Sequence, residues 1–107
     1  MIGIDLVQIQ ELKKQIEASG VTFLSRAFNA GEIKRDDYEH IAGLWAAKEA
    51  VMKAGGLKAG SWLDIKLSHD PDGLPKACVG TTHYEISISH HGDYAIAVAL
   101  KVAAWKK

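Results

Sequence analysis

His40-Ile41-Ala42-Gly43-Leu44-Trp45-Ala46-Ala47-Lys48-Glu49-Ala50-Val51-Met52-Lys53-Ala54 is the stretch on which the fold turns. It holds no proline, and its one glycine lies near the start. At about 100° per residue, Ile41, Leu44, Trp45, Lys48, Val51 and Met52 share one broad stripe. Gly43, Ala47, Ala50 and Ala54 form a second stripe, small enough to let a neighbouring backbone come close. A helix apolar on two sides is a buried helix. Its remaining edge carries Glu49 and Lys53, four apart and therefore neighbours. Lys48 falls inside the large stripe. Charged groups on a buried helix need partners or a task.

Outward from this helix, the pattern is β on both sides. Upstream, Ile2 to Val7 alternates as a short strand, with Ile2, Ile4 and Leu6 on one face and Gly3, Asp5 and Val7 on the other. Asp5 is thus an acid within an apolar strand. Ile9, Leu12 and Ile16 follow helical spacing up to Gly20, and Phe23 to Phe28 suggests a second helical piece. Asn29 and Glu32 have capping-box spacing, which predicts a further helix with Ile33 on its inner face, otherwise charged and exposed down to about Tyr38. Downstream, Ile65 and Leu67 begin a strand, Asp70-Pro71-Asp72-Gly73 is a turn, and Leu74 to Val79 returns. Tyr84, Ile86 and Ile88 alternate towards a predicted loop at Ser89-His90-His91-Gly92-Asp93. Tyr94 to Val102 is apolar on both faces, and its alanine face (Ala95, Ala97, Ala99) suits the alanine stripe of the helix. The expected architecture is α+β: an antiparallel sheet packed against a long buried helix plus short helices, as one domain over residues 1–107.

Composition narrows the function. Apolar residues make up 48% and charged residues 24%, which excludes intrinsic disorder. Thirteen basic residues balance thirteen acidic ones, so no global field draws nucleic acid or an anionic membrane. Near-zero net charge favours association between copies. The single cysteine, Cys78, excludes an internal disulfide and a multi-cysteine zinc site, and implies a reducing, cytoplasmic setting. No apolar run approaches the roughly 20 residues of a membrane span, and the N-terminus lacks the pattern of a signal peptide. His83-Tyr84-Glu85 lacks the paired cysteines of a zinc deaminase, and Gly55 to Ser61 lacks the Gly-Lys-Ser/Thr of a phosphate-binding loop.

The pairing of Asp5 with Glu49 carries more chemistry. If the helix packs over the strand, two carboxylates converge, and they repel unless a cation or proton joins them. Oxygen ligands suit Mg²⁺, which takes one or two carboxylates plus waters and substrate phosphates. Lys48 and Lys53 then complement the phosphates. The structural alternative is an ion pair between Glu49 and Lys53.

Ile2-Gly3-Ile4-Asp5, Trp45-Ala46-Ala47-Lys48-Glu49-Ala50-Val51-Met52-Lys53 and Ser87-Ile88-Ser89-His90 together resemble the three signatures of phosphopantetheinyl transferases. The length and the early aspartate are similar to the short, holo-acyl-carrier-protein synthase type, as is Phe23 to Glu32 with Arg26. The resemblance implies a Mg²⁺-dependent enzyme that moves 4′-phosphopantetheine from coenzyme A to a serine of an acyl carrier protein and releases 3′,5′-ADP. It implies metal ligation by Asp5 and Glu49, phosphate contact by Lys53, and His90 near the nucleotide end of coenzyme A. Asp5, Glu49 and Lys53 are the expected catalytic residues; Lys48, Lys53 and His90 are the expected substrate-binding ones. A homotrimer with sites at subunit interfaces is implied as well. The base that takes the serine proton is either Glu49 or a metal-bound water. Glu11 stands where short members often carry an arginine, Leu44 where a basic residue is common, and Gln8 where an acid is common. These departures bear on carrier and coenzyme A binding. A binding module without turnover, or a small assembly protein with only an ion pair at Glu49, are the competing readings.

Overall fold

The computed structural model describes residues 1–103. Strand β1 (Ile2–Gln8) runs directly into α1 (Ile9–Ser19) and α2 (Val21–Ala27). After an irregular segment comes α3 (Tyr38–Gly55), then a 3-10 turn (Ser61–Asp64). Strands β2 (Lys66–His69), β3 (Pro75–Val79), β4 (Thr82–His91) and β5 (Tyr94–Val102) follow among the described residues. The five strands form one antiparallel sheet in the order β1-β5-β4-β3-β2, so the first strand closes one edge beside the last.

Helix α3 is the element around which the rest packs. Asp37 caps its start by accepting the His40 N–H at 3.3 Å. Gly56, in the left-handed region with φ 62°, ends it and turns its own N–H back to the Met52 carbonyl. The stripe of small residues faces the sheet as expected. Ala47, Ala50 and Ala54 are buried, as are Ala95, Ala97 and Ala99 of β5. A methyl group at Gly3 would fall on the Ala50 carbonyl oxygen and lie 2.7 Å from the Ala54 nitrogen, so β1 and α3 meet backbone to backbone. A methyl group at Gly43 would stand 2.9 Å from Ile88 Cγ2. The other side of α3 sends Leu44 and Val51 into the same core as Phe28 and Ile65.

Two local expectations give way to longer-range bonding. The predicted loop at Ser89–Asp93 is mostly strand: β4 continues to His91, and only Gly92 and Asp93 turn the chain between the paired His91 and Tyr94. Asp93 then anchors α1, accepting the Ile9 N–H on its carbonyl at 2.8 Å and the Gln10 N–H on Oδ1 at 3.2 Å. No helix starts at Asn29; residues 28–37 are irregular. The Glu32 carboxylate does accept the Asn29 N–H at 2.7 Å, as in a capping box, but it also binds the Leu67 N–H and the Lys48 ammonium. Those partners hold residues 28–37 as an irregular strap. Among the described residues no helix is long and apolar enough to cross a membrane.

Candidate active site

Asp5 lies on the inner face of β1, opposite Ala97 of β5, with its side chain largely buried. Lys53 reaches across from α3. Its Nζ donates to Asp5 Oδ1 and to the Ile4 carbonyl, both at 3.0 Å. The Lys53 side chain remains 57% exposed, so its ammonium still faces solvent. One turn earlier, Glu49 Oε2 accepts the Trp62 indole N–H at 2.9 Å. The ion pair of Lys53 is therefore with Asp5, and the carboxylate four residues back has a neutral partner. Trp62 stacks at 5.1 Å on Trp45, which stacks at 5.1 Å on Phe23.

Asp5 and Glu49 line one open cleft of about 220 Å³ with Gln8, Glu11 and Trp45. A second hollow of about 390 Å³ adjoins it, bordered by Glu49, Lys53, Gly56 and Leu57. Glu49 stands on the rim shared by both. The expected convergence of strand acid and helix acid is thus present, with an ammonium beside it. Among the described residues, no group of three or more histidine, cysteine or acidic side chains is placed to hold a metal ion. Two carboxylates on an open cleft nevertheless fit Mg²⁺, which usually keeps several waters and completes its shell with substrate phosphates. The same donor set suits zinc poorly, since no histidine or thiol joins it.

Lys48 occupies a different place from the one expected of a phosphate ligand. Its side chain is fully buried, and Nζ contacts Glu32 Oε1 at 2.6 Å, the Ala27 carbonyl at 2.8 Å and the Trp62 carbonyl at 2.9 Å. Burial pulls the Lys48 ammonium below its ordinary pKa, and Glu32 opposes this. Burial likewise works to raise the Glu32 carboxyl, but the Leu67 N–H, the Lys48 ammonium and the Asn29 N–H outweigh it, so its pKa is lowered. Three oxygen acceptors within 2.9 Å require three N–H donors, which only the ammonium supplies. The pair is charged, and Lys48 ties the strap to α3 instead of facing a ligand.

His90 is set apart from Asp5 and Glu49. It sits at the far end of β4, where Nδ1 donates to Glu39 Oε2 at 3.0 Å. Glu39 and Glu49 are ten residues apart on α3, about 15 Å along the axis. His90 lines a cleft of about 400 Å³ with Arg35, His40, Gly43 and His69. Within one chain the two clusters are separate. Sequence reasoning missed Glu32, Trp62 and Glu39 as partners of Lys48, Glu49 and His90. Trp62, placed just after the glycine-rich connection, was the one visible sign of the second.

A five-stranded antiparallel sheet crossed by one buried helix, with an acid from each flanking a lysine, defines a small α+β domain built to handle a phosphate-bearing ligand. Residues 1–99 match the 4′-phosphopantetheinyl transferase superfamily, and the chain belongs to that family. It is 33% identical over 123 residues to a holo-[acyl-carrier-protein] synthase from a Thermoanaerobacter species, covering 98% of this chain and 88% of the relative. It is 39% identical over 110 residues to the holo-[acyl-carrier-protein] synthase of Nautilia profundicola, covering 94% of this chain and 97% of that one. The crystal structure of Helicobacter pylori holo-[acyl-carrier-protein] synthase in complex with coenzyme A superposes with a TM-score of 0.86 at 34% identity, covering 95% of this chain and all of that one.

Proposed function

We propose that this chain transfers 4′-phosphopantetheine from coenzyme A to a serine of an acyl carrier protein, with Asp5 and Glu49 holding Mg²⁺. The observation that carries the reading is the convergence of Asp5 and Glu49 on one cleft, with Lys53 bound to Asp5 at 3.0 Å. The serine oxygen attacks the phosphorus that bears the pantetheine arm. The bond from that phosphorus to the bridging pyrophosphate oxygen breaks, 3′,5′-ADP leaves, and the serine proton passes to a base. The nucleophile comes from the partner, so the chain needs none of its own. Asp5 and Glu49 would hold the metal, which would supply positive charge to offset that of the departing pyrophosphate oxygens.

The chain's residues position and compensate. Lys53 has three N–H donors, of which two are committed to Asp5 and the Ile4 carbonyl. The third can meet a phosphate oxygen at the mouth of the cleft. Glu49 keeps Oε1 for the cation while Oε2 is held by Trp62. His90, with Glu39 behind it, offers Nε2 towards the nucleotide end of coenzyme A.

The separation of His90 from the acids suits a site completed between copies, and we place that site in a homotrimer. Ile2, Ile4 and Leu6 are 69%, 55% and 62% exposed on the outer face of β1, an edge strand whose inner face bears Asp5. An interface built on this strand lies beside the acid cluster. The free thiol of Cys78 suits a reducing cytoplasm.

Incubation with coenzyme A, Mg²⁺ and a panel of apo carrier proteins, read by intact mass, tests the reading. A carrier should gain the phosphopantetheine mass, and Glu49→Gln or chelation should suppress the gain. Coenzyme A binding without transfer to any carrier would mark the chain as a binding module instead.

A further inference from the structure

Trp62 is fixed at three points by three residues of α3. Its carbonyl accepts from Lys48 Nζ at 2.9 Å, its ring lies 5.1 Å from Trp45, and its indole N–H donates to Glu49 Oε2 at 2.9 Å. Lys48 and Glu49 are consecutive, so one turn of helix grips both the backbone and the ring edge of the same residue. The Lys48 end is anchored in the interior by Glu32. The far side of the stack is closed by Phe23 of α2 on Trp45.

We propose that Trp62 is a positioning residue that sets the Glu49 carboxylate for a divalent cation. The proposal rests on the reading of Asp5 and Glu49 as the cation's ligands. An indole is a donor only and carries no charge. It can fix one carboxylate oxygen without cancelling the negative charge that attracts the cation. A lysine in its place would add a second positive charge to the cleft, beside Lys53. A glutamate on an open helix face otherwise samples several rotamers, and ordering it costs free energy at the moment of binding. Trp62, packed on Trp45 and through it on Phe23, meets that cost in folding by holding Oε2, and leaves Oε1 as the oxygen available to the cation. The alternative is that the hydrogen bond merely satisfies a half-buried indole and has no effect on metal binding.

The two are separated by following the ¹⁵N-labelled protein with coenzyme A while Mg²⁺ is added. The Trp62 indole signal, assigned by its loss in Trp62→Phe, should shift together with the Glu49 amide. Trp62→Phe keeps the stack but removes the donor. It should weaken Mg²⁺ binding about tenfold, the lower end for loss of a group that orients a metal ligand. Its transfer rate should recover largely at saturating Mg²⁺, which a general packing defect would not show. Asp5 and Glu49 amides that respond to Mg²⁺ while the indole stays still, or a Trp62→Phe protein with unchanged Mg²⁺ affinity, overturn the role of Trp62 alone. Asp5 and Glu49 amides that ignore Mg²⁺ overturn the metal reading and this role with it. Should Trp62→Phe not fold, the indole is assigned in the wild type by through-space contacts to its neighbours Trp45 and Glu49, and that spectrum decides.

Discussion

Lys53 binds Asp5 across the helix–strand contact at 3.0 Å, while Glu49, its neighbour one turn back on α3, is held by an uncharged indole. One acid of the cleft thus has a charged partner and the other a neutral one. Lys53 is more than half exposed but Asp5 is only 14% exposed, so solvent screens the pair in part while removal of the lysine leaves a largely buried carboxylate. Lys53→Ala should therefore lower the melting temperature only modestly. Its kcat for transfer should fall about 100-fold, the scale for losing one donor aimed at developing charge. A large loss of stability with an intact rate per folded molecule would make Lys53 a structural residue.

The Glu32–Lys48 pair is the opposite case, with both side chains buried at 2.6 Å. Removing one partner from a buried pair typically costs about 3–5 kcal/mol, whereas exchanging both for apolar residues is often near neutral. Glu32→Gln should lower urea-unfolding stability by that amount, and Glu32→Leu with Lys48→Met should recover much of it. The lowered Glu32 pKa adds a pH dependence. The folded state favours ionised Glu32, so its stabilisation is complete above the ordinary value of 4.5 and is lost as pH falls through the lower folded value. Asp37, also lowered despite the opposing effect of desolvation by its cap to His40 and the nearby Arg35, adds to the same acid limb. The double variant should show a flatter melting profile below pH 4.5 than the wild type.

The parts of this fold that were legible in the sequence are those set by local periodicity. The two stripes of α3, the alternation of β1 and the alanine face of β5 each follow from a single repeat, and they bring Asp5 and Glu49 to one cleft. Partner choice was not legible, because it depends on residues far apart in the chain. Glu32 has the spacing of a cap for Asn29 and makes that bond, yet its second oxygen binds Leu67 and its first also binds Lys48. Lys48 was readable as an inward residue but not as an anchor. Its three acceptors come from the strap, α2 and the 3-10 turn, which the stripe pattern does not reveal. The two-residue turn at Gly92-Asp93 was hidden by the polar residues Ser89 to His91, which continue an edge of β4 instead of leaving it.

Assembly should depend on the outer face of β1. Ile4 pairs with Val98 of β5 at the middle of the exposed apolar strip. A charge there costs little in an isolated subunit, since the side chain already meets water. Ile4→Lys should leave the melting of a dilute subunit near that of the parent subunit but convert the trimer to monomer by light scattering. Transfer activity should fall with the trimer, because a site shared between copies is lost with them. A monomeric parent with full activity at micromolar concentration would refute the trimer.

Carrier choice should depend on Glu11. It lies in the first turn of α1 and lines the same cleft as Asp5 and Glu49. An acidic carrier approaching this cleft meets Lys13 and Lys14 on the same helix and Arg26 on α2, but Glu11 lines the cleft itself. Like charges at an encounter surface slow association more than they weaken the docked complex. Glu11→Arg should therefore raise kcat/KM for a strongly acidic carrier at low salt, chiefly through faster association. The gain should shrink as ionic strength rises and the screening length falls below about 10 Å. The effect on Mg²⁺ affinity should be opposite in sign, because a cation in the cleft loses a nearby negative charge. A faster reaction at low salt with somewhat weaker Mg²⁺ binding would place Glu11 on the docking surface beside the metal. A rate unchanged at every ionic strength would place it outside that surface.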